Sequence, residues 1–211
     1  MKKRLLTAAA AVAILFTQVC AFASSQVVYT VSDGGAVLTD VENIGTEITV
    51  PSVFCGERVT AVGADAFRDN AEIERVSLPD TVLSVEWGAF ENCVKLESVN
   101  IPGGVSVIED MTFSGCESLE EISLPDGIKY IGVKSFAGTA LEELEIPDGA
   151  QAIGIRAFDG CASLERITVP ESVMYIGEDA FDGCTSLTVQ CKKGSYAEKY
   201  MLEHGISFTA E

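Results

Sequence analysis

Apolar residues return along this chain on a fixed beat. Phenylalanine stands at 67, 90, 113, 136, 158 and 181, in steps of 23, 23, 23, 22 and 23 residues. Proline keeps the same beat at 79, 102, 125, 147 and 170, with one 22-residue step over the same stretch. Two columns that stay in step mark a repeat array in which each repeat is one coil of a solenoid.

One coil shows how the pattern folds. Leu119, Ile122 and Leu124 have the spacing L-x-x-L-x-L, and the alternation at 122 and 124 predicts a strand with one face inward. The same inward set recurs as Ile73/Val76/Leu78, Leu96/Val99/Ile101, Leu141/Leu144/Ile146 and Leu164/Ile167/Val169. Stacking pairs these strands in parallel, about 4.8 Å apart. Proline then ends each strand, because it has no N–H for a ladder. Ile128 and Ile131 return to the core, as do Val82/Val85, Val105/Ile108 and Val173/Ile176. Gly63, Gly132, Gly154 and Gly177 follow the second apolar residue, where a sharp turn is expected. A small residue precedes each Phe, and a turn former (Asp69, Asn92, Gly115, Gly138, Gly160, Gly183) stands two residues after it. No coil holds ten periodic residues, so the return is expected as short extended pieces or 3-10 turns.

A coil cannot bury its apolar edges alone, so both ends need caps. Residues 24–58 read as a β-rich N-terminal cap, with strands around Val27-Tyr29-Val31, Val37-Leu38 and Ile48-Val50 and turns at Asp33-Gly34-Gly35 and Asn43-Ile44-Gly45. Residues 59–189 form the solenoid, about six coils of 22–23 residues. Residues 190–211 change period: Ser195-x-x-Glu198 is a capping box that opens a helix over 195–204, Gly205 stops it, and a strand follows at Ile206–Phe208. Residues 1–23 read as a signal peptide. Lys2, Lys3 and Arg4 precede an apolar run from Leu5 to Val19, and Ala21-Phe22-Ala23 is a small-x-small cleavage signal. The chain is therefore expected to be secreted or at the cell surface.

The net charge is −18, and all 32 acidic residues follow position 23. Such a chain repels nucleic acid and anionic membranes. Cys93, Cys116, Cys161 and Cys184 each lie three residues after a column Phe. Zinc needs four ligands converging on one point, and disulfides need Cβ atoms closer than the coil spacing. A buried column of free thiols is the expectation, with Cys55 and Cys191 in the caps less constrained. His204 is the single histidine, so no Ser-His-Asp or Cys-His nucleophile is expected without it. No cofactor or metal site is expected, and no enzyme.

What remains is surface. Between the inward residues of each strand point Arg75/Ser77, Ser98/Asn100, Glu121/Ser123, Glu143/Glu145 and Arg166/Thr168. Glu120 and Glu142 join them, so coils three and four carry an acidic face. A second column, three residues before each Phe, holds Trp87, Val133 and Ile155, and exposed aromatics favour binding surfaces.

The segment Ile153-Gly154-x-x-Ala157-Phe158-x-x-Cys161-x-x-Leu164-x-x-Ile167-x-Val169-Pro170 resembles the BspA-type leucine-rich repeats of bacterial surface proteins, and the likeness spans about 59–189. Asn70 and Thr139 replace the usual Cys, and Thr112 the usual Ala. The resemblance implies a mainly β, right-handed solenoid and, in some members, adhesion to host or matrix proteins. Two functions stay open. One is a secreted or cell-surface module that binds a protein partner through Arg75, Ser98, Asn100, Glu120, Glu121, Ser123, Glu142, Glu143, Glu145, Arg166 and Thr168, or through Trp87. The other is a structural or assembly unit of the cell envelope with no single ligand. Glycan is the less favoured ligand, because the strand face lacks aromatics.

Overall fold

The coils stack as the period requires. The computed structural model describes residues 16–22, 25–32, 34–42 and 44–211. The charged start at Lys2, Lys3 and Arg4, Ala23 and Ser24 at the expected cut, and Asp33 and Asn43 of the two N-terminal turns lie outside the described residues. In chain order the elements are β1 (Phe16–Phe22), β2 (Ser25–Ser32), β3 (Gly35–Glu42), β4 (Glu47–Thr49), β5 (Val53–Phe54), β6 (Glu57–Val62), β7 (Arg75–Ser77), β8 (Ser84–Val85), β9 (Ser98–Val99), β10 (Val107–Ile108), β11 (Tyr130–Ile131), β12 (Glu143–Glu145), β13 (Ala152–Ile153), β14 (Arg166–Val169), β15 (Tyr175–Ile176), β16 (Thr188–Cys191), α1 (Tyr196–His204) and β17 (Ser207–Ala210). β1 pairs antiparallel with β2, and β2 with β3. β3 then runs parallel to β6, which turns the cap into the stack.

Three ladders join the coils. The first is the parallel sheet of the L-x-x-L-x-L strands, in two blocks: β4-β7-β9 and β12-β14-β16-β17. The second is formed by the short return strands, β6-β8 and β10-β11-β13-β15. The return side is thus extended, and no 3-10 helix occurs among the described residues. The third runs along the phenylalanine turns, where Phe67, Phe90, Phe113, Phe136 and Phe158 each donate an N–H to the residue before the next Phe, at 2.8 to 2.9 Å. The rings stack between these ladders, with centroids 4.8 to 5.5 Å apart. They form one core with the Leu, Ile and Val columns.

The turn before each Phe has a conformation that the residue types do not announce. Asp65, Gly88, Met111, Lys134, Arg156 and Asp179 all have φ between 52° and 60°. Only one of the six is glycine, so the ladder and the buried ring hold the others in the left-handed region. The glycines at 132, 154 and 177 correct the expectation of a sharp turn, since their φ is not positive. A Cβ on Gly154 would lie 2.6 Å from the carbonyl carbon of Gly132. These positions need glycine because the backbone of the preceding coil passes so close.

Coil three departs from the regular stack. The strand expected at Ile122 and Leu124 does not form, and the first sheet stops at β9 and resumes at β12. Ile122 and Leu124 are half-buried, whereas Val76, Leu144 and Ile167 in the same inward column are buried. The second sheet lacks pairing close by, between β8 and β10, the return strands before and after β9, and resumes from β10 to β11. The phenylalanine ladder crosses it intact, with Phe90 N–H to Thr112 O at 2.9 Å and Gly88 N–H to Asp110 O at 2.9 Å. The interruption falls where Glu97, Glu120, Glu121, Glu142 and Glu143 crowd successive coils, and like charges facing one another on adjacent strands oppose pairing.

The C-terminal end of the phenylalanine column is closed by the helix that the capping box predicts. Ser195 Oγ accepts from Glu198 N–H at 3.2 Å, and Gly205 ends α1 with φ 66°. α1 lays Tyr200 on the last ring, Phe181, edge-on at 6.4 Å, and the Tyr200 hydroxyl donates to Gly177 O at 2.9 Å. Tyr200 thereby takes the place of a seventh phenylalanine. At the other end Tyr29 stacks on Phe54 at 4.2 Å.

Candidate recognition face

The strand pattern places one outward row on the first sheet, in register: Glu47, Arg75 and Ser98 in the first block, then Glu143, Arg166, Thr188 and Ser207 in the second. Glu121 belongs to this row by period but lies on the unpaired coil. A parallel row holds Thr49, Ser77, Glu145, Thr168, Gln190 and Thr209.

The structure sorts the candidate residues by what they already touch. Arg75 reaches Glu47 at 2.8 Å and Glu97 at 2.7 Å. The hydrogen bond to Glu47 and the charge of Glu97 raise its pKa above the ordinary arginine value. Arg166 is paired with Glu143. Asn100 donates to Leu78 O at 2.8 Å and accepts from Leu78 N–H at 2.7 Å, standing in for ladder bonds between its coil and the one before. Thr168 donates to Gln190 Oε1 at 3.4 Å. Among the described residues no cation pairs with Glu120, Glu121, Glu142 or Glu145, and all four are exposed.

These carboxylates border the interruption. A cleft of 560 Å³ is lined by Glu97, Ser98, Glu117, Ser118, Glu120, Glu121 and Glu142. Beside it, Ser98, Val99, Asn100, Ile101, Glu121, Ile122, Ser123 and Glu143 line a second depression of 500 Å³. The structure places Ser98, Glu120, Glu121, Ser123, Glu142 and Glu143 of the expected face around these two clefts, together with Glu97 and Glu117, which the strand spacing does not single out. A signal for Glu97 was present: glutamate follows the first inward residue of five consecutive coils, at 74, 97, 120, 142 and 165.

Trp87 does not join this group. It lies on the turn before Phe90, half exposed, and Ile155 three coils on is exposed as well. The outer side of the second sheet carries exposed aromatics that the sequence reading passed over. Tyr130 and Tyr175 flank Ala152 in register, and Tyr130 donates its hydroxyl to Gln151 Oε1 at 2.8 Å. Among the described residues the outward rows of the first sheet hold no aromatic, whereas the second sheet exposes Tyr130 and Tyr175.

The cysteine column is made of free thiols. Cys93, Cys116, Cys161 and Cys184 each donate Sγ–H to the carbonyl of the Phe one coil back, at 3.0 to 3.2 Å. Thr139 fills a gap in the column and bonds both Phe136 O and Cys161 Sγ. Burial pushes Cys93 up to about 12 and Cys116 well above the ordinary thiol value, which favours the neutral thiol at these two positions, whereas the hydrogen bond with Cys184 lowers Cys161 to about 7. Among the described residues no group of three or more His, Cys, Asp or Glu is placed to hold a metal, and no helix is long and apolar enough to cross a membrane.

The comparisons agree with this architecture. The model of the BspA type leucine rich repeat region matches in six copies, over residues 46–150 and 129–200. No curated protein matches the chain. A leucine-rich repeat protein from Bacteroides ovatus is similar, with a TM-score of 0.74 and 31% identity over 81% of this chain and 46% of its own length. The leucine rich repeat protein of T. pallidum shares the fold, with a TM-score of 0.69 and 24% identity over 87% of this chain and 96% of that one. A leucine rich cell surface protein from Faecalibacterium prausnitzii has a TM-score of 0.55 and 28% identity, over 88% of this chain and 41% of that one. The chain thus spans less than half of the B. ovatus and F. prausnitzii proteins.

Proposed function

Because the chain belongs to the BspA-type leucine-rich repeat family, we propose that it is an exported recognition module that binds a basic protein partner through the first sheet at coils three and four. Repeats of this family generally mediate protein interaction, and proteins of this fold are typically non-enzymatic binding modules. Export rests on the charged, apolar and small-residue pattern of residues 1–23. A similar F. prausnitzii protein is a cell surface protein, which agrees with an extracellular site of action. A host or matrix protein is the partner class this location supplies.

One observation carries the reading. Glu120, Glu121 and Glu142 line the two clefts and Glu145 the next depression along the sheet, all four exposed and, among the described residues, without a cation against them, while both arginines of the row are already paired. Fold stability gives no reason to hold like charges on neighbouring strands. A basic surface would offset the repulsion and gain steering from it. Ser, Asn, Glu and Arg along the row suit a protein surface better than a sugar, which would stack on aromatic rings.

The test changes Glu121, Glu142 and Glu145 to Gln together and leaves the paired Glu143 intact. Melting temperature and binding to the protein captured from extracellular-matrix extract are then measured in a salt series. The variant is expected to melt higher and to lose binding, and wild-type binding is expected to weaken as salt screens charges beyond about 8 Å at physiological strength. Full binding by a variant that melts higher would rule out the acidic face and move attention to Trp87 and Ile155.

A further inference from the structure

We infer that the first sheet is built to continue from one molecule into the next, with β17 of one copy seated against β4 of a second copy. Among the described residues β4 pairs only with β7, and β17 only with β16. Among the described residues, then, both ends of this sheet are open edges. The caps do not cover them: α1 lays Tyr200 over the phenylalanine column, and the N-terminal hairpins join the second sheet through β6.

The inward row records the missing neighbours. Val76, Val99, Leu144, Ile167 and Val189 are at most 6% exposed. Ile48 in β4 and Phe208 in β17, the two ends of the same row, are only half-buried. Each lacks the coil that would complete its burial, as a terminal repeat of a solenoid does without a cap. β17 also lacks the usual edge protection. Ser207, Phe208, Thr209 and Ala210 include no charge and no proline, so its backbone edge is a template for another strand.

The two edges match each other. Along β17 the order is Ser207 outward, Phe208 inward, Thr209 outward; along β4 it is Glu47, Ile48, Thr49. Within the molecule Thr188 faces Ser207 and Glu47 faces Arg75. The same step between molecules sets Ser207 against Glu47, Phe208 against Ile48 and Thr209 against Thr49. Charge favours this direction. Lys193, whose N–H bonds Glu211 O beside β17, and Lys199 have no acidic partner among the described residues, and at the opposite end Glu57 is exposed with no basic partner among them, while Glu47 is held by Arg75. The contact uses two different surfaces, so it propagates head to tail instead of closing as a two-fold dimer. It leaves the acidic strand face open and does not depend on the partner proposed for it.

Sedimentation velocity over a concentration series tests the idea, at salt near 0.15 M because the net charge of −18 resists association when screening is weak. The wild-type protein is expected to show a mass that climbs with concentration through dimer and longer species. Phe208→Lys and Ile48→Lys each block one end, and a lysine at a half-buried end position can extend its charge to solvent without unfolding the coil. Each variant alone is expected to stay monomeric with wild-type circular dichroism. Mixed, they are expected to form dimers and stop there, because each retains the end that the other lacks. A wild-type protein that stays monomeric throughout would overturn the inference, as would variants that assemble like wild type. Monomeric wild type that binds an added β17-like or β4-like strand peptide only from another protein would reassign the edge to a foreign partner and equally overturn self-assembly.

Discussion

Phe113 has a parallel ring on each side, Phe90 at 5.4 Å and Phe136 at 5.5 Å, and is fully buried. Removing it deletes contacts in two directions, and neighbouring rings held by their ladders cannot collapse into the space. Phe113→Ala is expected to cost about 3–5 kcal/mol, read by urea unfolding. Glu117→Ala, four residues on and exposed, is expected to change stability by less than about 0.5 kcal/mol. Equal losses would mean that inside and outside have been exchanged. The Phe and Cys residues were legible because burial demanded the same chemistry in coil after coil. The bond from each thiol to a carbonyl one coil back was not, since it links residues about 25 positions apart.

Gly154 and Gly138 separate two reasons for glycine at the level of the turn and the ladder. At Gly154 the obstacle is the neighbouring coil, since a Cβ would meet the backbone of Gly132 at 2.6 Å. At Gly138 the nearest atoms lie 4.0 Å away, and the cost comes from its own φ of +70°. Gly154→Ala must push two coils apart and is expected to lose about 1–3 kcal/mol. Gly138→Ala is expected to lose about 1–2 kcal/mol. Thermal melts check the order, and amide exchange distinguishes the causes: only Gly154→Ala should raise exchange at Gly154 N–H, which bonds Ile131 O at 2.7 Å. A one-residue pattern cannot tell these glycines apart, and the sequence reading assigned the first kind to a turn. The helix at the end was easier, because Ser195, Glu198 and Gly205 carry their caps in local chemistry.

Across the whole molecule, the stretch from Phe90 to Phe113 is joined along the phenylalanine edge while the first sheet lapses between β9 and β12 and the second between β8 and β10. Hydrogen exchange is expected to find Glu121, Ile122 and Ser123 exchanging ahead of Leu144 and Ile167, which occupy paired strands. Uniform protection along the inward row would show that the sheet is continuous in solution. The same lapse opens the acidic clefts, so the weakest step of the stack and the proposed binding face coincide. Neither was visible in the repeat, because coil three obeys the L-x-x-L-x-L spacing as well as its neighbours do.

The sequence by itself determined the repeat, the inward columns, the stack of rings, the C-terminal cap helix and the crowding of acid at coils three and four. These follow from periodicity, which acts on each coil in the same way and is written in the residue types. The tertiary structure decided which carboxylates find an arginine, which glycines yield to a passing backbone, where the ladder stops and which edges remain open. Those outcomes depend on what lies one coil above or below, about 22 or 23 residues away in the chain, where backbone distance and side-chain charge meet only after the coils have stacked.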